Sequence, residues 1–149
     1  MSLQVKVMEK LKEAMKAKDT VALESLRAIK SAILLAQTEA GGKHDLSEEE
    51  ELKLLQRLVK QRKDSAAIYQ QQGRTDLAAP ELQQVAVIEQ FLPKQLSEDE
   101  VRTIVAAIVE KTGASGMKDM VKVMGMATKE MAGKADGKTI STIVKEILS

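Results

Sequence analysis

The chain has 149 residues, 30% of them charged, and a formal net charge of +1, so any attraction to nucleic acid must come from a local patch. It contains no cysteine, which excludes disulfides and thiol nucleophiles and fits a cytoplasmic protein. With one Tyr, one Phe and no Trp, the core must be aliphatic; no basic-then-apolar leader or membrane-spanning apolar run is present.

Apolar residues at helical spacing predict three helices in the first half of the chain. Asp19 or Thr20 is positioned to cap the second helix, and Gly41–Gly42 is expected to end it. Ser47 and Glu50 form the pattern of a capping box at the start of a third helix over about 48–72. Leu3, Val7, Leu11 and Met15 recur every four residues and are predicted to share one face of the first helix.

Pro80 predicts where the fourth helix begins. Proline suits the first position of a helix, so this helix is expected over about 80–92. A start at Thr75 would set the proline ring against the carbonyl of Asp76. Residues 74–79 are therefore predicted to form a looser turn.

Pro93 marks a predicted domain boundary. It ends the fourth helix, and Ser97 with Glu100 supplies a new capping box for a fifth helix. Sixth and seventh helices are predicted over about 117–131 and 138–148. The prediction is an all-α protein in three parts: an N-terminal bundle of about four helices, residues 1–92; a hinge, 92–95; and a compact three-helix C-terminal unit, 96–149.

The stretch "GKADGKTI", Gly133–Ile140, ends like a nucleotide-binding loop. The Walker A spacing would require glycine at position 132, which is Ala132, and no strand leads into the turn. Asp136 is instead predicted to cap the seventh helix, where its carboxylate would repel an incoming phosphate. Lys134 and Lys138 are then left to point outward.

Lysines are concentrated in this C-terminal region. Residues 111–145 hold seven lysines against three acidic residues, a local charge of +4. Lys118, Lys122 and Lys129 share one helical face, which indicates either a solvated face opposite a methionine-rich core or a stripe that contacts phosphates. Gly125 within the same helix costs about 1 kcal/mol relative to alanine and predicts a close helix–helix contact.

A second basic cluster lies on the third helix and comprises Arg57, Lys60, Arg62 and Lys63. Its acidic neighbours favour a solvated face. The lone His44 has no second metal ligand or catalytic partner in sight. No catalytic residue, metal or cofactor is therefore expected.

Four stretches of the sequence resemble the GatB/YqeY family: "LPKQLSEDEVRTIV", "GASGMKDMVKVMG", "GKADGKTISTIVKEIL" and "LVKQRKDSA". The chain is similar to a stand-alone YqeY-like protein, and the related segment ends the B subunit of glutamine-dependent tRNA amidotransferases. There it is thought to hold tRNA. The chain departs from the family at Val121, where glycine is frequent. The resemblance implies tRNA contacts at Lys118, Lys122, Gly133, Lys134 and Lys138.

Three hypotheses follow for the function. The first is a non-catalytic module that binds folded tRNA, with neither DNA nor membrane as a partner. The second is an adaptor that docks on an amidotransferase or an aminoacyl-tRNA synthetase. The third is carbon–nitrogen ligase activity with glutamine as amido-N-donor, only together with partner subunits. Salt dependence separates the first two, because phosphate contacts weaken steeply with salt.

Overall fold

A computed structural model describes residues 2–39, 41 and 45–149. Over these residues the only regular structure is helical, which confirms the all-α prediction. The chain divides into two compact units, one ending at Leu92 and the other beginning at Pro93. The hinge over 92–95 stays a prediction. The helices are α1 (Leu3–Ala17), α2 (Thr20–Glu39), α3 (Glu48–Gln71), α4 (Thr75–Glu89), α5 (Glu98–Thr112), α6 (Met120–Glu130) and α7 (Gly137–Leu148), with a 3-10 turn at Met117–Asp119 before α6.

The first unit is held together by α2 and α4. Helix α4 packs along α3 and also against α2, while α1 packs on α2. The predicted caps are present: the amide N–H of Ala22 donates to the Asp19 carboxylate, and Ser47 and Glu50 make a reciprocal capping box. Gly42, one of the two glycines expected to end α2, lies outside the described residues, and so does His44. The largest fully buried side chains of this unit are Leu26, Ile29, Leu55 and Ile88.

The prediction that Leu3, Val7, Leu11 and Met15 share one face of α1 is wrong at the C-terminal end of the helix. Met15 is 57% exposed, whereas Ala14 is buried. A strict spacing of four residues drifts by about 40° per step on a helix of 3.6 residues per turn, so Met15 stands about 120° away from Leu3. Ala14, eleven residues after Leu3, returns to within about 20° of it.

The predicted start of α4 is also wrong. The helix begins at Thr75, and Pro80 lies inside it. Pro80 and Asp76 both face solvent, so water can satisfy the Asp76 carbonyl that loses its intrahelical donor. The earlier start buries Ala78, and the carbonyl of Arg74 accepts the first helical amides. One lost hydrogen bond is therefore offset by an added helical turn.

The second unit closes α5, α6 and α7 around one aliphatic core. The methionine-rich core predicted for the sixth helix differs at its start, where the 3-10 turn changes the register. Met117 is 48% exposed, and Val123 is fully buried. The buried residues of this core are Val101, Val105, Ile108, Val123, Ala127, Met131, Ala135, Ile140, Ile143, Val144 and Leu148.

Polar contacts fix the ends of these helices. Ser97 and Glu100 form the predicted capping box, with N···O distances of 3.2 Å and 3.1 Å. The hydrogen bonds from the Ser97 backbone and side chain hold the pKa of Glu100 below its ordinary value. Arg102 joins α5 to α7 through Glu146 at 2.6 Å, and this hydrogen bond raises the pKa of Arg102.

Candidate nucleic-acid interface

The turn between α6 and α7 is anchored by the segment that enters the second unit. The Gln95 side-chain amide donates to the carbonyl of Gly133 at 2.8 Å, and the N–H of Leu96 donates to the carbonyl of Lys134 at 2.9 Å. Gly133 is buried and has a φ of 76°, a left-handed conformation that favours glycine. Its role in the structure is thus to shape the turn, and the exposed side chain beside it belongs to Lys134.

Asp136 closes this turn as the sequence predicts. Its backbone is extended, and its Oδ1 accepts the N–H of Thr139 at 2.7 Å. The carboxylate thus occupies the amide that a phosphate would need at the start of α7. The turn does not form a backbone phosphate cradle, and its capacity for anions rests on lysine side chains.

Lysines run along the whole α6 segment. Lys118 precedes α6 and Lys134 follows it, and the 11 residues of this helix extend for about 16 Å between them. Lys122 and Lys129 lie on one face of α6, and the other three lysines lie before this helix, after it and at the start of α7. We call the set the lysine strip: Lys118, Lys122, Lys129, Lys134 and Lys138, all exposed.

The lysine strip is electrostatically uncompensated. Among the residues that the structure describes, none of its five ammonium groups has an ion-pair partner. Two of the three acids in the same region face backbone amides instead. Asp136 binds the N–H of Thr139, and Asp119 accepts the N–H of Ser115 at 2.9 Å. The positive charge of the strip thus remains available to an external anion.

The second basic cluster is used within the fold. Lys60 pairs with Asp64 at 2.9 Å, and Lys63 lies 4.0 Å from Glu89 of α4. The Lys60 pair is exposed and the Lys63 pair is partly exposed, so both contribute little stability, but each brings a carboxylate next to its lysine. This compensation distinguishes the cluster on α3 from the lysine strip.

Arg62 of the second cluster is committed to internal contacts as well. Its guanidinium donates to the Gln84 side chain of α4 at 2.8 Å and to the carbonyl of Leu58 at 3.0 Å. Arg57 is exposed and lines a groove between α2 and α3. The structure thus brings only Arg57 of this cluster to the surface without a charged partner among the described residues.

Gly125 is exposed in the middle of α6, and the predicted helix–helix contact is wrong. A Cβ atom built on Gly125 would meet nothing within 4 Å. The packed face of α6 is formed by Val123 and Ala127, which point away from it. Gly125 belongs instead to the face that carries Lys122 and Lys129.

Two grooves flank α2, and sequence reasoning missed both. The first, about 400 Å³, lies between α1 and α2 and exposes Val5, Met8 and Leu34. The second, about 590 Å³, lies between α2 and α3 and exposes Leu35, which is 61% accessible. The available signal was the adjacent pair Leu34–Leu35, because two neighbouring leucines cannot both follow the narrow stripe that α2 buries.

Other kinds of site have little support in the described part of the chain. No group of three or more His, Cys, Asp or Glu side chains there could hold a metal ion. Among the same residues, no helix combines the length and the apolar character needed to cross a membrane.

Comparison with known proteins shows which family the chain belongs to. The sequence model described as Yqey-like protein matches residues 4–148. The chain belongs to the YqeY-like family. One curated relative of this YqeY-like chain is "Altered inheritance of mitochondria protein 41, mitochondrial" from Clavispora lusitaniae (strain ATCC 42720), 38% identical over 82 residues. That alignment covers 55% of this chain and 46% of the relative, so the chain spans about half of the relative's length.

Proposed function

We propose that this YqeY-like chain is a non-catalytic RNA-binding module and that its second unit holds folded tRNA through the lysine strip. The observation that carries the proposal is the contrast between two basic surfaces. The cluster on α3 is largely compensated within the fold, while the five lysines of the strip have no acidic partner among the described residues.

The chemistry of the second unit favours phosphates over bases as the contacted groups. Both aromatic residues of the chain, Tyr69 and Phe91, precede Pro93, so this unit has no ring on which a base could stack. Lysine ammonium groups attract phosphates without reading sequence. A folded RNA, which presents a fixed arrangement of phosphates, suits lysines spread over and beyond a helix about 16 Å long better than a flexible single strand does.

The choice of tRNA rests on the resemblance to the tail of amidotransferase B subunits. In that arrangement the RNA is held by one domain and the chemistry takes place in others. The proposal places the chain in the cytoplasm. A chain without cysteine fits that compartment, and tRNA is present there. The mitochondrial name of the Clavispora lusitaniae relative describes that relative alone.

Salt dependence of tRNA binding tests the proposal. If all five lysines contact phosphates, the logarithm of affinity should fall with the logarithm of salt at a slope approaching about 4.5, or roughly 500-fold between ~50 and ~200 mM salt. Fluorescence anisotropy with labelled tRNA and the full chain measures this slope. Duplex DNA of equal length serves as the competitor. Weak binding that hardly responds to salt would contradict the proposal.

An adaptor role is the second candidate, supported by the grooves that flank α2. Exposed Leu34 lines the groove between α1 and α2, and exposed Leu35 lines the groove between α2 and α3, a pattern suited to a partner helix. Its binding would depend on apolar burial and respond weakly to salt. The partner proposed on this hypothesis is an amidotransferase or an aminoacyl-tRNA synthetase. Copurification of such a protein that survives moderate salt and is lost with Leu34→Asp would favour the adaptor.

A further inference from the structure

Gly125 has no structural reason to be glycine. It lies inside an α-helix, where glycine costs about 1 kcal/mol relative to alanine. Its conformation is helical, and the space next to it is open, so alanine would fit without strain. Because the fold gains nothing from the absence of a side chain at this position, a molecule that binds to this face of α6 explains the glycine better than packing within the unit does.

The surroundings of Gly125 identify the chemistry of that approach. Lys122 and Lys129 stand one helical turn before it and one turn after it on the same exposed face. Val121, at i−4, is 86% exposed, so an apolar group and a bare length of backbone lie beside the lysines. The matching surface is one that alternates anionic groups with C–H groups, as a ribose-phosphate backbone does.

We propose that Gly125 is the point of closest approach between α6 and the bound RNA, with a ribose-phosphate strand lying directly on the helix backbone. Without a Cβ atom, the strand comes within contact distance of α6 while Lys122 and Lys129 reach phosphates on either side. Val121 then packs against ribose C–H groups. This inference rests on the proposed function and adds a specific contact to it.

Substitutions at Gly125 test this contact separately from the lysines. Gly125→Ala should raise the melting temperature and yet weaken tRNA binding, and Gly125→Leu should weaken binding by roughly tenfold or more. No charge is removed, so the salt slope should stay at the wild-type value. Lys122→Ala combined with Lys129→Ala should instead reduce the slope by roughly two. The matched control is Ala107→Leu, an exposed alanine inside α5, which should bind within about twofold of wild type.

The two proposals fail in different ways. Wild-type tRNA affinity in Gly125→Leu, together with a weakened lysine variant, would overturn the close approach and leave RNA binding in place. Equal affinities and slopes for the wild type and the Lys122/Lys129 variant would overturn both. A stronger effect of Gly125→Leu on an acidic protein partner than on tRNA would also overturn the assignment to RNA.

Discussion

Asp136 offers a direct test of how the turn before α7 is stabilised. Its Oδ1 accepts the amide of Thr139 at 2.7 Å, and its backbone has the extended conformation of an N-cap residue. Asp136→Ala removes the acceptor and should cost about 1 kcal/mol of unfolding free energy. Asp136→Asn keeps a carbonyl oxygen in the same place and should cost only a few tenths of that.

The loss should be visible in global unfolding because α7 is central to its unit. The helix contributes Ile140, Ile143, Val144 and Leu148 to the core, so a frayed first turn exposes the beginning of that apolar stripe. For a unit the size of residues 93–149, a loss of ~1 kcal/mol of unfolding free energy lowers the melting temperature by about 4–8 °C.

Thermal unfolding followed by far-UV circular dichroism compares the wild type, Asp136→Ala and Asp136→Asn in the full chain. The asparagine variant separates the hydrogen bond from the charge, because it retains the first and loses the second. Neither variant should weaken tRNA binding directly, since the carboxylate repels phosphate. Equal melting temperatures for the alanine and asparagine variants would refute the capping argument.

Three further outcomes follow from the fold. The hydrogen bonds with Ser97 lower the pKa of Glu100, so the stabilisation from its carboxylate is present above the ordinary Glu pKa of ~4.3 and is lost as pH falls through the folded value. The stability advantage of wild type over Glu100→Gln should therefore shrink below about pH 4. A difference in melting temperature that does not change with pH would argue against this. Pro80→Ala should raise the melting temperature by restoring one intrahelical hydrogen bond, and a lower melting temperature would contradict this. Limited proteolysis should cut at Leu92–Gln95 or Gly41–Asp45, whereas cleavage confined to the middle of α3 would count against two separable units.

The sequence predicts helices best where local chemistry decides the outcome. The capping boxes at Ser47 and Ser97 and the N-cap at Asp136 depend on neighbouring residues only, and all three are present. The predicted start of α4 at Pro80 is wrong, because the burial of Ala78 and the access of water to the Asp76 carbonyl outweigh the preference of proline for the first helical position. Such gains come from tertiary packing and do not appear in a short window of sequence.

The candidate site was less predictable, for a related reason. Charge counting located the lysine-rich region, but whether a lysine is free depends on where nearby acids are held. Asp119 and Asp136 accept backbone amides, whereas Asp64 pairs with Lys60. The position of Gly125 on the outer face likewise depends on which side of α6 packs against the other helices.

The most direct test of RNA binding compares two double variants that each remove two positive charges. Lys134→Ala with Lys138→Ala removes uncompensated lysines, while Lys60→Ala with Lys63→Ala removes lysines that face carboxylates. In tRNA titrations, the first variant should lose roughly 1.8 from the salt slope, so its deficit relative to wild type should shrink about twelvefold between ~50 and ~200 mM salt. The second variant should keep nearly the wild-type slope. Equal slopes for both variants and the wild type would contradict RNA binding through the lysine strip and favour the adaptor function.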